Sequence, residues 1–227
     1  MRADTYKYTK VLYPIQDKVL PLFKDSPFYL TGGTALSRGY YNHRYSDDLD
    51  FFVNDRSDFQ RIVERIIVKV KSIYTDIVVN YKDDNFCRFM VADHELKVEL
   101  INDVPSHIGN LVNHPTLGMI DSKENILANK LTALIGREEP KDIADLYFLL
   151  KDGLNLKQAL LDADSKAAGI APLIVSKVLT EFDYSRLAKE INLVNPVSSE
   201  EIKEFFNGVT RDIMYGKEQH HSRGRHR

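Results

Sequence analysis

The stretch "TGGTALSRGYYNHRYSDDLDFFV", Thr31–Val53, opens on a glycine pair and closes by loading acids onto the start of an apolar strand. "PFYLTGG" before it reads as a short strand running into a glycine turn, "TALSRGYY" suits a helix that begins just after Gly32 and Gly33, and "DLDFFV" reads as a strand. Side chains alternate across a strand, so Asp48, Asp50 and Phe52 share one face while Leu49, Phe51 and Val53 share the other. Two carboxylates at that spacing repel, and each raises the other's pKa unless a cation lies between them. A divalent ion resolves the conflict. Mg²⁺ takes hard oxygen ligands, often one or two carboxylates together with phosphate oxygens, and an Asp-x-Asp pair on a strand supplies the protein's share.

A third acid stands alone in the same way. In "ELKVELI", Glu99 alternates with Val98 and Leu100, and it completes a three-acid site if its strand neighbours Asp48 to Phe52. The glycine pair supplies the other half of the chemistry, because glycine lets the backbone approach a ligand closely and the amides opening a helix favour an anion. Phosphate at the glycines and metal at the acids describe a nucleoside triphosphate site. The pattern lacks the Gly-Lys-Thr/Ser of a Walker loop and the third glycine of a dinucleotide fingerprint.

Outward from this stretch, the first half of the chain mixes strands and helices and the second half is helical. Residues 7 to 24 read as a helix broken or bent by Pro14 and Pro21, and Ser57 as the cap of the amphipathic helix "DFQRIVERIIVKVKSI". Strand candidates follow in "TDIVVNY", "FCRFMVA" and "ELKVELI", which makes a mixed or antiparallel sheet. "NDVPSHIGNLVNHPTLG" reads as a loop, with no convincing strand after it. Asp121 with Glu124 resembles a capping box opening "NILANKLTALIGR", a second helix begins near Asp142, and Pro172 fits the first turn of a later one. With 227 residues and 43% apolar content the chain can bury a real core. The single cysteine, Cys87, excludes an internal disulfide framework and reads as a buried, inert thiol. The N-terminal residues are polar and no apolar run approaches a membrane span, so the expected location is cytoplasmic, with no membrane partner. The formal net charge is −2, and the last eleven residues, "KEQHHSRGRHR", hold a surplus of three positive charges that leaves the body near −5. Such a balance argues against sequence-independent nucleic-acid binding as the main activity.

"TGGTAL", "RYSDDLDFF" and "KVEL" resemble the glycine motif, the D-x-D strand and the third acid of the DNA polymerase β-like nucleotidyltransferases. More narrowly, G-G-T-A-L followed by R-x-S-x-D-L-D-F resembles the AbiEii/AbiGii-type nucleotidyltransferases, toxins of bacterial toxin–antitoxin pairs. Their second signature, K-L-x-A-x-x-x-R followed by R-D-x-x-D-L, is matched in "NKLTALIGREEPKDIADLYFLL" at Lys130, Leu131, Ala133, Arg137, Asp142, Asp145 and Leu146. Lys141 stands where the family carries arginine, which keeps the charge but not the bidentate geometry. The resemblance covers residues 27 to 150.

Pattern and resemblance together give an α+β chain with a nucleotidyltransferase-fold mixed sheet over residues 1–115 and an all-helical domain over 116–216, with the triphosphate expected in a cleft between the domains, and the basic tail over 217–227 reads as disordered. Asp48, Asp50 and Glu99 would hold Mg²⁺ or Mn²⁺, Glu99 nearest the attacking hydroxyl or serving as its base. Gly32, Gly33, Thr34, Arg44 and Ser46 would surround the triphosphate. Lys130 projects from an apolar helical stripe, so its charge needs a partner: Asp142 or Asp145 by spacing, the β and γ phosphates by resemblance, with Asp142 and Asp145 then ordering Lys130 or touching the nucleotide. The implied reaction moves an NMP from an NTP to an acceptor hydroxyl, an RNA 3′ end with tRNA favoured or else a protein hydroxyl, and the implied partner is a cognate antitoxin. The rival expectation is a catalytically inactive copy that binds nucleotide or antitoxin.

Overall fold

The computed structural model describes residues 3–93, 95–194 and 197–215. The tail expected over 217–227 lies outside them, as does His94. By its contacts the chain divides inside a helix, between Ile126 and Leu127. One unit takes in the described residues up to Ile126 and the segment from Asn192, and the other those of Leu127–Ile191 and of the C-terminal part. The sequence places the change at 115/116, where the class of structure changes.

The first unit is a seven-stranded mixed sheet with helices. Its strands are β1 (Tyr29–Thr31), β2 (Leu49–Asn54), β3 (Val78–Lys82), β4 (Phe86–Val91), β5 (Leu96–Asp103), β6 (Val112–His114) and β7 (Gly118–Ile120), in the order β3-β4-β5-β2-β1-β7-β6. β2 runs parallel to β5 and β1 to β7, and the remaining pairs are antiparallel. The hairpin β6–β7 lies where the sequence suggests a loop, since three-residue strands carrying Asn113, His114 and Gly118 show neither alternation nor β-branched runs.

Alternation in β2, β4 and β5 is regular: Leu49, Phe51, Val53, Cys87, Phe89, Val91, Leu96, Val98 and Leu100 are buried, and the residues between them are half-buried. The buried face meets α1, a helical run over 3–23, and α3 (Phe59–Lys71), with Phe23 stacked 3.6 Å from Phe51 and Phe59 edge-on to Phe28. α1 is not broken at its prolines. It passes from π to α geometry at Tyr13 and to 3₁₀ at Leu20, so Pro14 and Pro21 each fall at a change of helix type. α3 is preceded by Asp58 in the cap position rather than Ser57, and the Asp58 carboxylate is engaged by Arg56 and Arg61, which hold it down to about 2. Between β1 and β2 lies α2, over 32–41, which widens into π geometry and ends at Asn42 with φ +47°.

The second unit is helical, as expected. α4 (Lys123–Gly136) enters it, followed by α5 (Pro140–Lys151), α6 (Leu156–Lys166), α7 (Pro172–Glu181), α8 (Ser185–Glu190) and α9 (Ser199–Tyr215). α5 opens on Pro140 and α7 on Pro172, both in first-turn positions. Its core gathers Ile143, Leu146, Leu149, Val175, Leu179, Ile202 and Phe206, and Tyr147 is buried with its hydroxyl donating to Glu201. Among the described residues no helix is long and apolar enough to cross a membrane.

Candidate active site

β2 and β5 are direct neighbours in register, Leu49 opposite Val98 and Asp50 opposite Glu99, so the three acids share the half-buried face of the sheet. β4 adds Arg88 opposite Glu99 and β1 adds Thr31 opposite Asp50. One row across four strands therefore reads Arg88, Glu99, Asp50, Thr31, with Asp48 two residues along on the same face. Arg88 donates to Glu99 Oε1 from Nε and Nη2, each at 2.6 Å. Lys97 reaches Asp48 Oδ2 at 2.9 Å and Glu99 Oε1 at 3.3 Å.

Three carboxylates thus meet two cations, and the charge imbalance falls on Asp50. Burial, with Glu99 and Asp48 beside it, pushes the Asp50 carboxyl up to about 7. Burial works in the same direction on Glu99, but Lys97 and Arg88 outweigh it and hold that carboxyl below the usual glutamate range. Among the described residues no three acid, histidine or cysteine side chains already stand in a ligating arrangement. Lys97 Nζ stands between the Asp48 and Glu99 carboxylates. The donor set itself, all carboxylate oxygen, suits a hard divalent cation.

The glycines pack tightly against this row. Gly32 has φ +65°, and a Cβ there would lie 2.7 Å from Asp50 Oδ2; one at Gly33 would lie 2.3 Å from Arg44 Nη2 and 3.1 Å from Ser46 Oγ. A side chain at Gly32 would have to displace Asp50 and one at Gly33 would have to displace Arg44, and Gly32 needs glycine for its backbone as well. Thr34 Oγ1 donates to the Asp48 carbonyl and accepts from Ser46 Oγ, which joins the glycine turn to the acid strand. Arg44 and Ser46 are buried. Gln16 of α1 supports their loop by donating to the Ser46 and Asp47 carbonyls, and Asn192 to Val194 bridge to it from the far end of the chain.

The structure therefore brings together Gly32, Gly33, Thr34, Arg44, Ser46, Asp48, Asp50 and Glu99. It places Lys130, Asp142 and Asp145 in the helical unit, where they form their own cluster. Lys130 Nζ lies 2.6 Å from Asp142 Oδ1 and 2.6 Å from Asp145 Oδ2, and Arg137 Nε lies 3.0 Å from Asp142 Oδ2. All but Arg137 are buried. Lys141 pairs with Glu139 at the start of α5. Cys87 is buried on the opposite side of β4 from Arg88, and burial pushes its thiol up.

Sequence reasoning missed Lys97, although its position two residues before Glu99 puts both on one face. It also misassigned Asp121. The cap of α4 is Ser122, whose Oγ accepts from the Asn125 amide, while buried Asp121 receives Thr31, Asn125 and His107.

A family model described as nucleotidyl transferase AbiEii toxin, type IV toxin–antitoxin system, matches residues 21–224, and the chain belongs to that family. An uncharacterised protein of Aquifex aeolicus is 29% identical over 201 residues, 87% of this chain and 93% of that protein. Among solved structures, the nucleotidyltransferase toxin MenT4 of Mycobacterium tuberculosis is similar at a TM-score of 0.63 and 18% identity, covering 97% of this chain and 91% of that one. JHP933 of Helicobacter pylori is similar at a TM-score of 0.60 and 22% identity, covering 90% and 91%. Those two likenesses establish the fold; the family makes the chain a nucleotidyltransferase.

Proposed function

We propose that the protein moves an NMP from a nucleoside triphosphate to the 3′ hydroxyl of an RNA, tRNA being the favoured class and a protein hydroxyl the second, and that it does so as the toxin of a toxin–antitoxin pair with a cognate antitoxin. The observation that carries this reading is the register that sets Asp50 against Glu99 with Asp48 beside them, flanked by two glycines packed against Asp50 and Arg44. Asp48, Asp50 and Glu99 would hold Mg²⁺ or Mn²⁺ once Lys97 withdraws, and such ions stabilise charge on the attacking and leaving oxygens. The amides around Gly33, with Thr34, Arg44 and Ser46, bind the phosphates beyond the α position, where negative charge builds as pyrophosphate leaves. Glu99 would bind the metal nearer the attacking hydroxyl or serve as its base, taking the proton as the new O–P bond forms. Lys130, Asp142 and Asp145 keep the role in nucleotide binding that the family resemblance gives them, and their ion pairs add a structural cost to removing any one.

The rival, an inactive nucleotide- or antitoxin-binding module, draws on Lys97, which partly neutralises the acids without any metal. Incubation with each α-labelled NTP, Mg²⁺ and total bacterial RNA separates the two readings. Label in RNA supports transfer as proposed, label in protein alone moves the acceptor to the second class, and label in neither supports the rival. Induction of wild type beside Asp48→Asn at equal protein levels tests toxicity: the expected growth defect is confined to wild type, and equal growth would remove the toxin role.

A further inference from the structure

The face that carries the acids carries a second row one strand repeat further along. The register sets Phe86 opposite Ile101, Ile101 opposite Phe52 and Phe52 opposite Tyr29, parallel to the row Arg88, Glu99, Asp50, Thr31. Tyr29 is buried, its ring edge-on to His107 at 5.2 Å. Phe52, Ile101 and Phe86 are half-exposed. At the outer end Tyr81 of β3 is 54% exposed, lies 5.7 Å from the Phe86 ring and shares the face because it pairs with Arg88. The Arg88 guanidinium sits 5.3 Å from the Phe86 ring.

We propose that Phe52, Ile101 and Phe86, with Tyr81 at the outer end, form the stacking platform for the terminal base of a single-stranded RNA acceptor. This rests on the nucleotidyl-transfer reading and names what its acceptor is. Three observations give the direction. Along the strands, the order on this face is Gly33 and Asp48, then Asp50 and Glu99, then the apolar row, because Thr31 pairs with Asp50 and Tyr29 with Phe52. An in-line displacement puts the acceptor opposite the leaving pyrophosphate; with the phosphates at the glycine end, the acceptor enters from the apolar end. The two rows are two residues apart, about 6.7 Å, comparable to the reach from a ribose hydroxyl at Glu99 to the base it carries.

The chemistry of the row then selects the occupant. Partly exposed aromatic rings on a sheet face suit unpaired bases, whose π faces stack regardless of sequence. A serine or threonine hydroxyl of a protein acceptor would leave these rings without a matching surface.

The test uses 5′-fluorescein RNA tetranucleotides, one with an intact 3′-terminal adenosine and one abasic at that position, titrated by fluorescence anisotropy into the full-length protein with Mg²⁺. Wild type is expected to prefer the intact oligonucleotide by about 5- to 100-fold, the range of one stacked base. Phe52→Leu and Phe86→Leu, which keep apolar bulk but lose the π face, should abolish the preference, and Phe52→Tyr and Phe86→Tyr should retain it. In transfer assays the leucine variants should raise the RNA KM by the same factor and leave the NTP KM unchanged. Equal affinity of wild type for the two oligonucleotides, preference retained in the leucine variants, or loss of NTP affinity instead would each overturn the platform. Transfer to RNA without any base preference would overturn the platform alone, leaving the proposed function standing. A base preference that the leucine variants lose, with no transfer to any acceptor, would support the platform and overturn the proposed function.

Discussion

Two clusters of acid and lysine stand in the molecule, one on the sheet and one among the helices, and their charge balance separates them. On the sheet, Asp48, Asp50 and Glu99 meet Lys97 and Arg88, and a carboxyl next to the glycines is left with a pKa near 7. Among the helices, Asp142 and Asp145 meet Lys130 and Arg137. The first cluster stores electrostatic repulsion that a cation can relieve; the second spends its charges on holding α4 and α5. A buried acid pair is a binding site only to the extent that its own neighbours fail to neutralise it.

The largest effect expected from this difference is on catalysis. Asp48→Asn and Asp50→Asn should each lower transfer by about 10³-fold or more, the upper range for losing one fixed electrostatic stabiliser, with the melting temperature of Asp50→Asn unchanged or raised because repulsion is removed. Near-normal turnover of either variant in Mg²⁺ would break the comparison on the sheet side.

Next in size is stability in the helical cluster. Lys130→Ala leaves two buried aspartates short of a cation, and breaking a buried pair costs roughly 3–5 kcal/mol. Urea unfolding measures it. The variant should also lose the NTP-dependent rise in melting temperature that wild type shows with Mg²⁺, if the nucleotide role carried over from the family holds. A variant as stable as wild type would show that these ion pairs hold nothing together.

A smaller effect concerns pH. Between the usual aspartate value of 3.8 and about 7, the native state keeps a proton on Asp50 that the unfolded chain has lost. Stability without divalent ions should therefore fall as pH rises through that window. Glu99 contributes with the opposite sign and lower on the scale, its share being lost as pH drops below the ordinary glutamate range. Mg²⁺ should flatten the decline between pH 5 and 8, and denaturant titrations with and without it read this directly; a decline indifferent to Mg²⁺ would separate Asp50 from any metal.

The smallest effect sharpens the role of Lys97. Its pairs with Asp48 and Glu99 are each worth up to about 1 kcal/mol, so Lys97→Met should lower the Mg²⁺ concentration for half-maximal nucleotide binding by at most about 30-fold. A rise instead would make Lys97 a partner of the nucleotide rather than a competitor of the metal.

The site on the sheet was largely legible in the sequence. Period-two alternation puts Asp48, Asp50 and Glu99 on one face of their strands, and a glycine pair before a helix is readable as a turn. The adjacency of β2 and β5 was not. It is a pairing over some fifty residues of chain, and no local pattern specifies it, so Lys97 and Arg88, visible as charges on the right faces, had no site to belong to. The hairpin β6–β7 escaped for the opposite reason: its strands are too short to show a period, and β7 is held by pairing with β1 rather than by propensity. Asp121 read as a cap because Glu124 stands three residues on, yet a serine beside it takes that place and frees the aspartate for Thr31 and His107. The pairing of Lys130 was legible as a question, since an ammonium on an apolar stripe must have a partner, and helical spacing already named the two aspartates.

The central claim is that the sheet cluster, and not the helical one, takes the divalent ion. Mn²⁺ titrated into the nucleotide-free protein and followed by the loss of its free paramagnetic resonance signal tests it without relying on turnover. Wild type, Asp142→Asn and Asp145→Asn, held below their melting temperatures, should all bind Mn²⁺, while Asp48→Asn and Asp50→Asn should bind it at least ten-fold more weakly. Undiminished Mn²⁺ binding in the sheet variants, with loss in the helical ones, would contradict the account.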